Sequence, residues 1–325
     1  MNKKQMIAVI VAVLLFVGAG LIGFGTNIIS SLLFSSNSND EETEFFPTKD
    51  FVGVVDIVGT IQDLGEESVF STTGEYNHTT AVKYIEELTE AENNVGILLY
   101  IDSPGGYANI GDDLYLELLE YKEETGRPIY AYFDSLAASA AYYAAMAADE
   151  IYANRMTTTG SIGVYTSYYD MSELFEKVGI KEVIIKSGNN KAMGSSGTPL
   201  TDEQYQLLQN DIDYVYEIFV DVVVAGRGLD RQTVYKIADG RSYNAEQALE
   251  LDLIDGIMRY EEYKERVKEN LGGDVEFYYK DSMLSPFADL FGELKDMTPK
   301  SDYQAITEMI EKNENGGYKY ESICR

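Results

Sequence analysis

The sequence predicts an α/β fold with a largely parallel sheet. Three observations carry this. Strand-like and helix-like segments alternate from residue 51 to about residue 251, the pattern of repeated β-α units. Residues 95–101 form a nearly continuous apolar run, as expected of a strand buried on both faces. That run ends abruptly in Asp102-Ser103-Pro104-Gly105-Gly106, a strong turn signal.

Each element follows from its local pattern. Residues 51–57 alternate and branch like a strand, and 81–88 have helical spacing. Residues 110–121 read as a helix with Leu114, Leu118 and Tyr121 on one face, stopped by Gly126-Arg127-Pro128. Residues 129–133 are the next strand. The stretch 135–148 is dense in alanine, the best helix former, and is expected to be helical. Short strands are expected at 150–153, 161–166 and 182–186, a helix at 171–178 and a loop at 187–199. Thr201 is placed to cap a long helix. Two further helices are expected near 230–238 and 245–251. Beyond Glu261 the chain is charged and loses its pattern.

The 325 residues are enough to bury a core. With 55 acidic against 25 basic residues the formal net charge is -30, which repels nucleic-acid phosphates, so no nucleic-acid partner is expected. The lone cysteine, Cys324, permits no intrachain disulfide. The lone histidine, His78, sits in a polar stretch and reads as a surface-loop residue. One histidine excludes a multi-histidine zinc site, and a Ser–His–Asp triad would have to use it. No metal and no cofactor is expected.

Between Lys4 and Asp40 no charged residue appears, and residues 6–22 are almost wholly apolar. About 20 residues cross a bilayer's hydrocarbon core as a helix. Lysines before the segment and acids after it place the N-terminus in the cytoplasm and the remainder outside. The expectation is an uncleaved single-pass anchor in the cell membrane; a cleaved signal peptide is the competing reading.

The chemistry is confined to a few places. There is no GxxxxGK[ST] loop, no GxGxxG after a strand and no GxSxG elbow. Three segments stand out. The turn at 102–106 brings bare backbone to the end of a buried strand, where glycine N–H groups can face an oxyanion; it reads equally as an ordinary tight turn. In Leu136-Ala137-Ala138-Ser139-Ala140-Ala141-Tyr142-Tyr143 one hydroxyl sits in a bed of alanines. Ser139 reads either as a helix cap or as a nucleophile, with the next N–H, from Ala140, donating to an oxyanion. In residues 184–194 Lys186 and Lys191 are available, and with histidine scarce a lysine is the obvious base, provided its surroundings favour the uncharged amine.

Together these segments resemble the signal peptide peptidase A (protease IV) family of membrane-anchored serine proteases. The resemblance runs in order from about residue 51 to 259. It rests on Asp-Ser-Pro-Gly-Gly at 102–106, Ala-Ala-Ser at 137–139 with Tyr142-Tyr143, Thr-Gly-Ser-Ile-Gly-Val at 159–164 and Lys-Ser-Gly-Asn-Asn-Lys at 186–191. Gly240-Arg241, the run 246–251 and Ile254-Asp255 add to it. It implies a Clp/crotonase-like fold of stacked β-β-α units. It implies Ser139 as nucleophile, Lys191 as base and Ser161 orienting the lysine amine. It further implies an oxyanion hole from the N–H groups of Gly106 and Ala140, and Ser103, Pro104 and Gly105 as a substrate-binding loop. Lys186 and Lys181 are the competing bases. Where the family has Gly-Gly after the nucleophile this chain has Ala140-Ala141; alanine keeps the donor provided its φ is negative.

The expected organisation is an anchor at 1–34, an acidic tether at 35–48, a protease domain at 49–262 and a charged, partly mobile extension at 263–325. The function implied is an extracytoplasmic serine endopeptidase acting on peptides such as cleaved signal peptides, assembled as a homo-oligomeric ring or dome, for example an octamer. The alternatives are a catalytically inactive membrane scaffold of the same fold and a crotonase-type acyl-CoA enzyme.

Overall fold

The apolar run becomes β2 (Asn94–Ser103), the spine of an eight-stranded sheet. The structure is a computed structural model that describes residues 46–63 and 76–280. β2 lies between β1 (Phe51–Val58) and β3 (Ile129–Ala138), parallel to both. Ile97, Leu98, Leu99 and Ile101 are all fully buried, which explains why this strand reads as continuous rather than alternating. Burying such a side chain contributes about 1.5–3 kcal/mol.

Two helices cover one face. α1 (His78–Glu90) follows β1, and α2 (Ala108–Thr125) follows β2. Asn77 caps α1 by accepting the Thr80 N–H, and α2 ends at left-handed Gly126. Gly53 is needed where α1 crosses β1, because a β-carbon there would meet the Leu88 side chain at 2.5 Å.

β3 is flanked on its far edge by two short strands in succession. Its first half pairs with β4 (Glu150–Ala153) and its last residues pair with β5 (Thr158–Gly160). The single helical turn between β3 and β4 is α3 (Ala140–Ala145), so the alanine-rich stretch expected to be one helix is divided. β3 runs on to Ala138, and the chain turns at Ser139. Propensity lost here to the ladder with β5.

After β5 the chain leaves the body. Residues 161–166 and 182–186, both expected as strands, form no ladder within the described residues, although α4 (Ser172–Val178) forms as expected. No residue from 163 to 200 is buried. Val183 is 73% exposed and Ile185 97%. The β-branched pattern is present, but no neighbouring strand of the same chain pairs with it.

The chain rejoins the body through α5 (Asp202–Arg227), started by a Thr201–Gln204 capping box. Next in order are α6 (Arg231–Ile237), β6 (Ser242–Asn244), α7 (Ala245–Glu250) and β7 (Gly256–Ile257). β6 runs antiparallel to β5 and β7 parallel to β4. The C-terminal end of α5 is clamped by Arg227, only 8% exposed, which donates to both oxygens of Asp255 at 2.8 and 3.1 Å. Burial pushes the Asp255 carboxyl up. Arg227 and the Ile151 N–H outweigh that and hold it below the usual range.

The charged stretch after Glu261, where the sequence loses its pattern, is structured as far as residue 280. α8 (Tyr260–Asn270) buries Tyr263 and Val267 against the second face of the sheet. β8 (Glu276–Tyr279) then adds to the free edge of β1. The pattern was hard to read because α8 buries only two side chains and is charged elsewhere. Among the described residues no helix is long and apolar enough to cross a membrane. The expected anchor, residues 35–45 of the tether, residues 281–325 of the extension and Cys324 lie outside the described residues.

Candidate active site

The turn from β3 into α3 sets the site. Ser139 adopts φ 54°, ψ -124°, a conformation that costs a non-glycine residue about 1–3 kcal/mol. Its N–H donates to Gly160 O at 2.9 Å, so the pairing of Ala138 with Gly160 is carried one residue further. Although Ser139 occupies the cap position of α3, its hydroxyl makes no capping bond. Among the described residues that hydroxyl has no hydrogen-bond partner. The capping reading of Ser139 is therefore not what the structure shows.

Ser161 follows Gly160 as Ser139 follows Ala138, so the two serines leave adjacent strands side by side. Ser161 also has positive φ, 51°, and its N–H is held by Arg241 O at 2.9 Å. Both serines line a cavity of about 410 Å³ whose walls include Gly163, Val164, Ile212 and Tyr216. Ile212 and Tyr216, one helical turn apart on α5, were not singled out from the sequence. Their i, i+4 spacing with Val220 was the available signal.

The turn after β2 closes on the same point. The Ser103 hydroxyl accepts the Gly105 N–H at 3.1 Å. Ile61 bridges the loop from the other side, its N–H donating to Gly105 O at 2.8 Å and its O accepting from Tyr107 N–H at 2.9 Å. Neither the Gly106 nor the Ala140 N–H is used in a hydrogen bond among the described residues. Ala140 has negative φ, since the positive value falls on Ser139. A β-carbon on Gly105 (φ 95°) would stand 2.7 Å from Ala138 O, 2.8 Å from Ala140 N and 2.8 Å from Ser139 Cβ. The two loops are thus in backbone contact, and only glycine fits between them. Gly105→Ala is expected to cost at least about 1–3 kcal/mol of stability and to depress activity further by prising the loops apart. Thermal unfolding and peptide turnover of the purified variant check both.

The remaining candidates fall in several places. Pro104 is exposed on the loop. Tyr142 and Tyr143 anchor α3, their hydroxyls donating to Leu253 O at 2.9 Å and Asp112 Oδ1 at 2.5 Å. His78 is not a surface-loop residue. It is 6% exposed at the start of α1, between the Tyr76 hydroxyl and Asp113, each at 2.8 Å. Polar neighbours in the sequence disguised a buried hydrogen-bonded ring. Among the described residues no group of three or more His, Cys, Asp or Glu side chains is arranged to hold a metal.

Lys191 is not brought to Ser139 within the chain. It is exposed, its amine has no hydrogen bond or ion pair among the described residues, and it does not line the cavity. The neighbouring Asn190 Oδ1 accepts from Gln204 Nε2 at 3.3 Å, at the start of α5. The cavity wall begins at Ile212, eight residues or about 12 Å further along that helix. Lys186 is also exposed, and its amine donates to Asn189 O at 2.7 Å. Lys181 is exposed in the same arm.

A protein provisionally named signal peptide peptidase SppA, from Enterococcus faecium, is 35% identical over 270 residues, 79% of this chain and 78% of its own. The profile of peptidase family S49 matches residues 121–273. The chain belongs to peptidase family S49. A Synechocystis protein provisionally named as a protease is 35% identical over 206 residues, covering 63% of this chain and 72% of its own. Protease 4 of Haemophilus influenzae is 27% identical over 222 residues, 68% of this chain but 35% of that longer protein. Within S49, the matched stretch holds Ser139, Ser161 and Lys191, while the Gly105–Gly106 loop lies ahead of it. The mixed α/β sheet is consistent with an S49 peptidase.

Proposed function

We propose that this S49 peptidase is a membrane-anchored, extracytoplasmic serine endopeptidase of Clp/crotonase-like fold. Ser139 is its nucleophile, Lys191 its general base, and remnant signal peptides and other small apolar peptides are its substrates. The observation that carries the reading is the elbow at Ser139: a strained residue with a free hydroxyl, flanked by two unused N–H groups from Gly106 and Ala140. Strain of this kind persists where it positions a reacting group. The free hydroxyl favours a hydrolase over an acyl-CoA enzyme that would need only the oxyanion donors. The apolar segment at 6–22, with lysines before it and acids after it, supports the anchor and its orientation.

The base comes from a second copy of the chain. The arm from 163 to 200 presents Tyr165, Val178, Val183 and Ile185 to solvent, each more than half exposed. An uncovered apolar segment of this size marks an interface. Docked on a neighbour, the arm carries Lys191 to the neighbour's Ser139 and places it among apolar walls such as Val164 and Ile212. Desolvation there favours the uncharged amine that a base requires. Repeated head-to-tail with a rotation that closes, such contacts form the ring of this reading.

Turnover then proceeds by acyl transfer. The Ser139 hydroxyl attacks the peptide carbonyl while Lys191 takes its proton, and the Gly106 and Ala140 N–H groups receive the oxyanion. The lysine returns the proton to the leaving amine, and water resolves the acyl-enzyme with the same lysine as base. Ser161, beside Ser139 in the same cavity, orients the amine in this reading. Treating the purified full-length protein with a fluorophosphonate and mapping the adduct by mass spectrometry tests this. A single adduct on Ser139 is expected; no adduct, or one on Ser161 instead, overturns the assignment.

A further inference from the structure

We propose that Asp102 is a positioning residue for acyl transfer: its side chain fixes the bulge in β3 that sets Ser139 and the Ala140 N–H against the Gly105–Gly106 loop. The inference rests on the reading of Ser139 as nucleophile.

The two oxyanion donors come from different strands, Gly106 from the end of β2 and Ala140 from the end of β3. Their separation is fixed only if the register between those strands is fixed. The ladder pairs Ile101 with Phe133 and next pairs Ser103 with Ala137. One residue of β2, Asp102, therefore faces three of β3: Asp134, Ser135 and Leu136. An interruption of this kind leaves backbone groups without ladder partners and re-aims the residues just beyond it. Ser139 lies three residues beyond this one.

The interruption is braced from both sides. On the β5 side, the Thr157 hydroxyl donates to Phe133 O at 3.0 Å and to Asp134 O, and the Thr159 hydroxyl donates to Ala137 O at 2.5 Å. On the β2 side, Asp102 Oδ1 accepts the Leu136 N–H at 3.1 Å, a side chain standing in for the missing ladder acceptor. The Asp102 backbone is itself fixed, its O accepting the Gly59 N–H at 3.0 Å. Asp102 also directly precedes Ser103, whose hydroxyl shapes the glycine loop. One side chain thus ties the two halves of the site together, bonded three residues before the nucleophile and rooted four before the glycine donor. Keeping a carboxylate here has a cost: burial and the neighbouring Asp134 both push its pKa up, and the Leu136 N–H is what opposes them.

The test uses full-length protein and compares Asp102→Ala with Asp102→Asn, which keeps an acceptor oxygen. Small misplacements of catalytic groups cost about 10²-fold. Asp102→Ala is expected to lower kcat and the fluorophosphonate inactivation rate at Ser139 by about 10- to 100-fold, with KM within about threefold of wild type. Asp102→Asn is expected to retain most of both rates. Wild-type rates in Asp102→Ala, equal losses in both variants, or a loss confined to KM would overturn the proposal. A second measurement does not depend on either variant folding: in the wild-type protein the Leu136 amide should exchange with solvent far more slowly than that of exposed Ser135. Equal exchange at the two overturns the proposal. Failure of wild-type protein to label at Ser139 would instead count against the serine-peptidase reading.

Discussion

Lys191→Ala is expected to abolish peptide cleavage as completely as Ser139→Ala, each by about 10⁴-fold or more. In the proposed dyad the two groups act as a unit: without the amine the hydroxyl keeps its proton, and without the hydroxyl the amine has nothing to activate. The double variant should therefore be no worse than either single one. Neither change touches packing. Lys191 is exposed and unpaired among the described residues, and the Ser139 hydroxyl makes no capping bond, so folding and assembly should be unaltered. Lys186→Ala should leave turnover within about threefold, because its amine serves a local turn at Asn189. Steady-state cleavage of a peptide substrate by the three variants decides the matter. Loss of activity in Lys186→Ala with Lys191→Ala still active would show that the base has been misassigned.

The features legible in the sequence were those that depend on neighbours along the chain. The β2 run, its Pro-Gly-Gly ending, the helix read at 110–121 and found at Ala108–Thr125, and the Thr201 cap all announce themselves through local pattern and appear in the structure. The features that were not legible depend on contacts made at a distance. The alanine-rich stretch has the propensity of a helix, yet pairing of Leu136–Ala138 with β5 extends the strand up to Ser139. That override creates the elbow. His78 looked exposed because its partner Asp113 lies 35 residues away. β8 is only four residues long, Glu-Phe-Tyr-Tyr, and is defined by the open edge of β1. The strand-like pattern at 182–186 was read without its partner, and it has none among the described residues of one chain. A sequence records that a segment is suited to pairing but not which chain supplies the other strand. The candidate nucleophile and oxyanion donors were identified through motif resemblance, and the fold places them together. The lysine stands apart from them.

That separation makes a sharp demand. If each site takes its serine from one copy and its lysine from the next, two inactive proteins should make an active one. In a Ser139→Ala protein every lysine is intact; in a Lys191→Ala protein every serine is intact. Random assortment of equal amounts in mixed assemblies gives a complete pair at a given site with probability one half times one half. About a quarter of wild-type activity should then return. The measurement is peptide cleavage by mixed assemblies of the two variants, co-expressed with different affinity tags and purified through both. Recovery near a quarter of the wild-type rate is the result expected for a site shared between copies. Activity no higher than that of either variant alone, in assemblies shown to contain both, would mean that serine and lysine must belong to one chain and would contradict the shared site.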